Sequence, residues 1–119
     1  MNELDVSVYS LDYNLGNLVS SMRHLNIFKD TFIIYTSTNG YFMGEHGMYD
    51  KRLMYEESMH IPLIMVNEEF INYNHWDYPY LVTNLDIAPT ILDVAGITPS
   101  GDANLHGKSL RSTWVAREQ

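Results

Sequence analysis

The sequence predicts an α/β fold, a mainly parallel sheet flanked by helices, and three observations carry that expectation. Leu4, Val8, Leu11, Leu15, Leu18, Met22 and Leu25 recur in alternating steps of four and three, the stripe of an amphipathic helix. Thr31-Phe32-Ile33-Ile34-Tyr35-Thr36 is a β-branched and aromatic run without polar alternation, which suits a strand buried on both faces. Ile61-Pro62-Leu63-Ile64-Met65-Val66 is a second such run, with Pro62 tolerated near its start. The order helix, strand, loop, strand, helix within 119 residues makes one α/β segment, 1–119.

The first helix is expected to lay its stripe on the sheet and to stop at Asn26. Gly16 weakens it by roughly 1 kcal/mol relative to alanine, or marks close packing. The first strand ends in Ser37-Thr38-Asn39-Gly40, followed by Gly44 and Gly47. A glycine-rich turn at the carboxyl end of a buried strand is where open α/β sheets place ligands, although a plain flexible connection has the same composition. Asn67 to Tyr80 is irregular, acidic and aromatic, and reads as a surface excursion. Leu81-Val82-Thr83 reads as a short strand. Asp86 then offers an N-cap, Pro89 sits in the first turn, and Ile87, Ile91, Leu92 and Ala95 supply an apolar face. Gly96 is placed for a left-handed C-cap. Thr98 to His106 reads as loop and Lys108 to Arg117 as a last short helix.

Composition removes several function classes. Hydrophobic residues make up 45% and charged residues 18%, an ordinary globular balance. Seven Lys and Arg against fifteen Asp and Glu give a net charge of −8, which argues against a nucleic-acid surface. No Lys or Arg occurs from Leu53 to Gly107, so an anion site must draw on Lys51, Arg52 or the two ends. No apolar run approaches the roughly 20 residues of a membrane span. The acidic start Met1-Asn2-Glu3-Leu4-Asp5 does not read as a secretory leader. With no cysteine, disulfides and thiolate chemistry are excluded.

Familiar motifs fail on spacing. Gly107-Lys108-Ser109 imitates the end of a phosphate-binding loop, but Gly101 is one residue too far away and no strand leads in. His24, His46, His60, His75 and His106 show no i, i+4 pair, so a zinc site is not expected. There is no Gly-x-Ser-x-Gly elbow.

One long constellation remains. Thr36-Ser37-Thr38-Asn39-Gly40 is followed by Gly44-Glu45-His46-Gly47, Lys51, Tyr55-Glu56-Glu57-Ser58 and the Pro62-Leu63 strand. Asp12 and Gly16 precede it, and Asp86-Ile87-Ala88-Pro89-Thr90 and Gly107-Lys108-Ser109-Leu110 follow. This order resembles the carboxyl-terminal part of the catalytic domain of formylglycine-dependent sulfatases, over roughly Leu4 to Leu110. The resemblance implies a partial alkaline-phosphatase-like fold and a sulfuric ester hydrolase acting on sulfate esters. It implies a calcium ion held by carboxylate and amide oxygens, with Asn39 as amide ligand and position 38 as the second. It also makes Lys51 the catalytic cation on the sulfate, with His46 beside the substrate. Glu45 and Tyr55 would shape the loop, and Glu56 and Glu57 read as a solvated helical face. Members are often periplasmic, secreted or lysosomal, which leaves the compartment of this chain open.

Two departures qualify the expectation. Position 38 carries Thr38 where the resemblance calls for aspartate. A unit-charge pair at 4 Å is worth ~4 kcal/mol at an effective dielectric of ~20, and a divalent ion about doubles it, so the site is expected to be severely weakened. The nucleophile motif Cys/Ser-x-Pro-x-Arg is also missing, because His60, Asp77, Ile87 and Ile97 stand two before the four prolines. The expectation is therefore a truncated segment without turnover of its own, and without an encoded formylglycine. Its rivals are a non-enzymatic remnant that self-associates or packs with an amino-terminal half, and a phosphoesterase of the same superfamily.

Overall fold

The computed structural model describes residues 3–68, 79–100 and 104–115, and the chain divides into two units, Met1–Asn74 and His75–Gln119. In the first unit, helix α1 spans Glu3–His24. It ends as the sequence predicts. Asn26 takes a left-handed φ of 56°, its N–H donates to Arg23 O, and the N–H of Ile27 donates to Met22 O. That is the Schellman arrangement, with asparagine in the place glycine usually fills.

The stripe of α1 does not behave as expected. Leu15, Val19 and Met22 are half-buried, whereas Val8, Leu11, Leu18 and Leu25 are exposed. The helix packs instead on the 3-10 turn Phe28–Asp30. There the Phe28 ring is buried, with the guanidinium of Arg23 over its face at 4.9 Å.

Strand β1 (Ile33–Thr36) pairs with β4 (Leu63–Val66), while β2 (Phe42–Met43) and β3 (Tyr49–Asp50) form a small hairpin. Both pairings are antiparallel, the first in the register Ile33↔Val66 to Thr36↔Leu63. The α/β class stands, but the parallel neighbours expected for β1 are not found among the described residues. A parallel return needs a crossover connection, usually a helix. Here residues 37–62 are spent on the hairpin and on the four-residue helix α2 (Glu56–Met59), and the chain re-enters from the opposite end. Ile33, Ile34 and Tyr35 are accordingly half-buried rather than enclosed on both faces.

The loop between β1 and β4 has its own anchor. Phe42 is 1% exposed and packs edge-on against Tyr55, with ring centroids 5.6 Å apart. Ser58 is buried and donates to the carbonyls of Leu53 and Tyr55.

In the second unit, Leu81–Thr83 is not a strand. Thr83 caps a 3-10 turn, Asn84–Asp86, that runs directly into helix α3 (Ile87–Val94). The Asp86 carboxylate accepts from the Thr83 N–H at 2.9 Å, so the cap lies three residues before the position predicted for it. Gly96 closes α3 in the expected left-handed form. Residues 104–110 then return along α3. The N–H of Lys108 donates to Asp86 Oδ1, that of Leu110 to Thr90 Oγ1, and Ser109 Oγ to Asp93 Oδ2. Thr90 is fully buried by these contacts. Helix α4 covers Arg111–Val115; Lys108–Leu110, predicted as its start, are instead non-helical chain held by their bonds to Asp86 and Thr90. Residues 116–117 of its predicted range and the 69–78 part of the predicted excursion lie outside the described residues.

Candidate functional site

The turn after β1 is organised by Asn39. Ser37 Oγ donates to Asn39 O, and Asn39 Nδ2 donates to Gly40 O at 2.6 Å, which orients the amide. Gly40 is required by close approach. Its N–H donates to Ser58 O, and a methyl built on it would collide with the carbonyl oxygen of Glu57. The turn is thus locked against α2 by backbone, with no room for a side chain.

Two of the predicted site residues meet the third at one atom. Thr38 Oγ1 donates to Asn39 Oδ1 at 3.0 Å, and Lys51 Nζ donates to the same oxygen at 2.9 Å. The lysine lies twelve residues further on, so the hairpin returns its ammonium to the carboxyl end of β1. Among the described residues Lys51 makes no ion pair. An ammonium carries three donors, and one is used here. The result is an exposed cation, oriented by a neutral acceptor, with its charge uncompensated.

His46 belongs to a second group. Its backbone is left-handed (φ 55°) and its Nε2 lies 2.9 Å from Glu57 Oε1. With Glu57 ionised, that nitrogen must carry the proton. The His46 ring stands 5.0 Å from Tyr55 and 6.3 Å from Phe42. Tyr55 shapes this loop as expected, but Glu57 is the partner of His46 rather than a solvated face. No periodic spacing links the two residues, so the pair was invisible in the sequence. Glu45 also holds the loop. Its carboxylate accepts from the Met43 N–H at 2.5 Å, and this bond, with that of its own N–H, lowers its pKa below the usual glutamate value. A cleft of about 280 Å³ beside the hairpin is lined by Phe42, Met48, Tyr49, Asp50, Arg52 and Leu53, and Lys51 is not among its walls.

A hard cation fits this donor set poorly. An amide oxygen has two lone pairs, and Asn39 Oδ1 already accepts from Lys51 and Thr38. Among the described residues no cluster of three or more His, Asp or Glu side chains could hold a metal. Calcium oxygens usually come as several carboxylates and carbonyls around one point. Thr38 and Asn39 alone do not supply that.

A glycine-locked turn at the end of β1, a lysine held over it and the stapled Asp-x-Ala-Pro-Thr helix are the features of a sulfatase carboxyl-terminal segment, and the family match defines the class. Residues 44–119 match the family described as N-sulphoglucosamine sulphohydrolase, C-terminal, and the chain belongs to that family. It is 37% identical over 111 residues, 93% of its length, to N-acetylglucosamine-6-O-sulfatase of Bacteroides thetaiotaomicron. It is 40% identical over 99 residues, 83% of its length, to arylsulfatase K of Rattus norvegicus. It covers 19% and 17% of those two proteins, so the chain spans about a fifth of the length of the curated relatives it matches. A solved structure described as a complex with its substrate D-glucosamine-2-N,6-O-disulfate superposes with a TM-score of 0.77 at 38% identity. That match covers 89% of this chain and 21% of the other. The partial sulfatase fold is therefore shown. No helix among the described residues is long and apolar enough to cross a membrane.

Proposed function

We propose that this chain acts in sulfuric ester hydrolysis as one structural part of a sulfatase catalytic domain, supplying Lys51 as the cation that meets the sulfate. The observation that carries the reading is the Lys51 ammonium on Asn39 Oδ1 without an ion-pair partner among the described residues. Charge that develops on sulfate oxygens is stabilised most by a cation already oriented and not neutralised elsewhere. Asn39 holds that cation, Thr38 donates to the same amide oxygen, and His46 pairs with Glu57 in the same loop. The relatives named above are sulfatases, and two of the matches concern sulfated glucosamine, which favours sulfuric over phosphoric esters and a sulfated amino sugar as substrate class.

On this reading residues 1–119 form a single segment that has no turnover alone. No residue of the chain stands in a Cys/Ser-x-Pro-x-Arg motif, and a calcium site would need carboxylates that Thr38 and Asn39 do not provide. The exposed leucines of α1 support packing against a complementary part of such a domain, or against a second copy. Purified chain should leave an aryl sulfate unhydrolysed with or without added calcium. Titration with glucosamine 6-sulfate, followed by NMR, should shift the Lys51 and Asn39 side-chain signals, and Lys51→Ala should abolish the response. Aryl sulfate turnover that disappears in Lys51→Ala would refute the claim of inactivity. An unchanged response in Lys51→Ala would remove Lys51 from the site.

A further inference from the structure

We propose that Asp50 is the positioning residue for Lys51. This rests on the reading of Lys51 as the sulfate-facing cation, and deepens it by naming what aims the side chain. Asp50 closes β3 opposite Phe42 in the register, and the Phe42 ring is the buried anchor of the hairpin. Its φ is +103°, a conformation side-chain-bearing residues rarely adopt. Its carboxylate is divided between the next two residues. Oδ1 accepts the Lys51 N–H at 2.8 Å, and Oδ2 pairs with Arg52 Nε at 2.9 Å.

Those two bonds separate the adjacent cations. Arg52 Nε pairs with the carboxylate at 2.9 Å on the surface. The Lys51 N–H donates to Asp50, while its ammonium donates to Asn39. Strain at a residue near a functional group is informative when the surrounding bonds over-determine it. Here they do: a carboxylate with both oxygens engaged holds a backbone that glycine would adopt freely. The ordinary turn residue at such a φ would be glycine, and glycine cannot sort Lys51 from Arg52.

The test uses the full chain and inorganic sulfate as probe. Asp50→Gly relieves the backbone and removes the carboxylate. Asp50→Asn tolerates the left-handed backbone and keeps an acceptor for the Lys51 N–H. In the wild type, Lys51→Ala should shift the Asn39 side-chain amide resonance; in the Asp50→Gly background the same substitution should leave it unmoved. In the Asp50→Asn background most of the shift should return. Sulfate affinity should weaken about tenfold in Asp50→Gly, the size of one charge-assisted hydrogen bond, and recover in Asp50→Asn.

An undiminished Lys51–Asn39 coupling in Asp50→Gly would overturn the proposal. So would loss of the fold in that variant, since the carboxylate would then be a fold element and not a positioning one. If wild-type chain shows the coupling but binds no sulfate, the reading of Lys51 as a sulfate cation fails while the role of Asp50 in aiming it stands.

Discussion

The loop from Thr36 to Met59 and the segment from Thr83 to Thr113 use similar chemistry to opposite ends. Each ties residues far apart in sequence through side chains bonded to backbone, and each rests on a glycine with no room for a methyl group. In the second segment every described carboxylate is spent. Asp86 accepts from Lys108 and Thr83, and Asp93 accepts from Ser109 and Arg111. In the first, the bonds end on Lys51, a cation with no ion-pair partner among the described residues. Lys108 of the second segment makes no ion pair among the described residues either, but its ammonium has no side-chain acceptor there, whereas Asn39 Oδ1 holds that of Lys51. A motif that leaves a positioned charge over is available for chemistry.

The largest effects should come from the two glycines. Gly40→Ala would drive a methyl into the Glu57 carbonyl, and Gly107→Ala into that of Leu85. Neither obstacle is a flexible side chain, so backbone must move, at a cost of about 2–3 kcal/mol. Both variants should lower the thermal midpoint. Only Gly40→Ala should also disturb the Asn39 and Lys51 side-chain signals, since Gly107 lies in the other unit. If Gly107→Ala moved those signals equally, the two regions could not be treated as separate scaffold and site.

Acid should weaken both regions, and the second more. The N–H groups of Lys108 and then Thr83 hold the Asp86 pKa below its ordinary value of 3.8. Ser109, then Arg111, do the same for Asp93. A carboxylate with a depressed folded-state pKa binds fewer protons folded than unfolded. Its contribution is complete above the unfolded value and is lost as pH falls through the folded one. Thermal midpoints recorded from about pH 7 to about pH 3 should therefore stay level down to about pH 4 and then drop. Asp86→Asn should lower the plateau by about 1 kcal/mol, as loss of a cap does, and should flatten the drop. An unchanged drop in Asp86→Asn combined with Asp93→Asn would assign the acid loss to the first region, where Glu45 is the carboxylate with a lowered pKa.

Much of this was legible in the sequence, and the exceptions share a cause. Helix α1 but not the face it buries, its stop at Asn26, both strand runs, Pro89 inside α3 and Gly96 at its end follow from local periodicity and turn chemistry, which neighbouring residues decide. The meeting of Thr38, Asn39 and Lys51 was legible only through family resemblance, because Lys51 lies twelve positions beyond Asn39, across the β2–β3 hairpin. Strand direction was not legible. An apolar run states that a strand is covered, not by which partner or from which end. The pairing of His46 with Glu57 and the division of the Asp50 carboxylate depend on side-chain directions in a left-handed loop, for which no sequence period exists.

The smallest expected effect bears most directly on what the turn after β1 is. Thr38→Asp restores the carboxylate that the sulfatase resemblance calls for at that position. The new carboxylate and Asn39 Oδ1 would then offer calcium a charged and a neutral oxygen from adjacent residues. Affinity should rise, but only to a dissociation constant on the order of 10⁻³ M, because one carboxylate is well short of a full calcium shell. Lys51 works against it. Its ammonium already sits on Asn39 Oδ1 and would pair with the introduced carboxylate. Combining Thr38→Asp with Lys51→Ala should therefore bind calcium more tightly than Thr38→Asp alone. Calorimetry on wild type, the single variant and the double variant distinguishes the cases. A graded increase in that order means the turn retains the directions of a cation site and lacks only the charge. Equal and negligible heats in all three mean that the Asn39 turn serves only to carry Lys51, which would make the positioned lysine the whole of the chemistry this segment contributes.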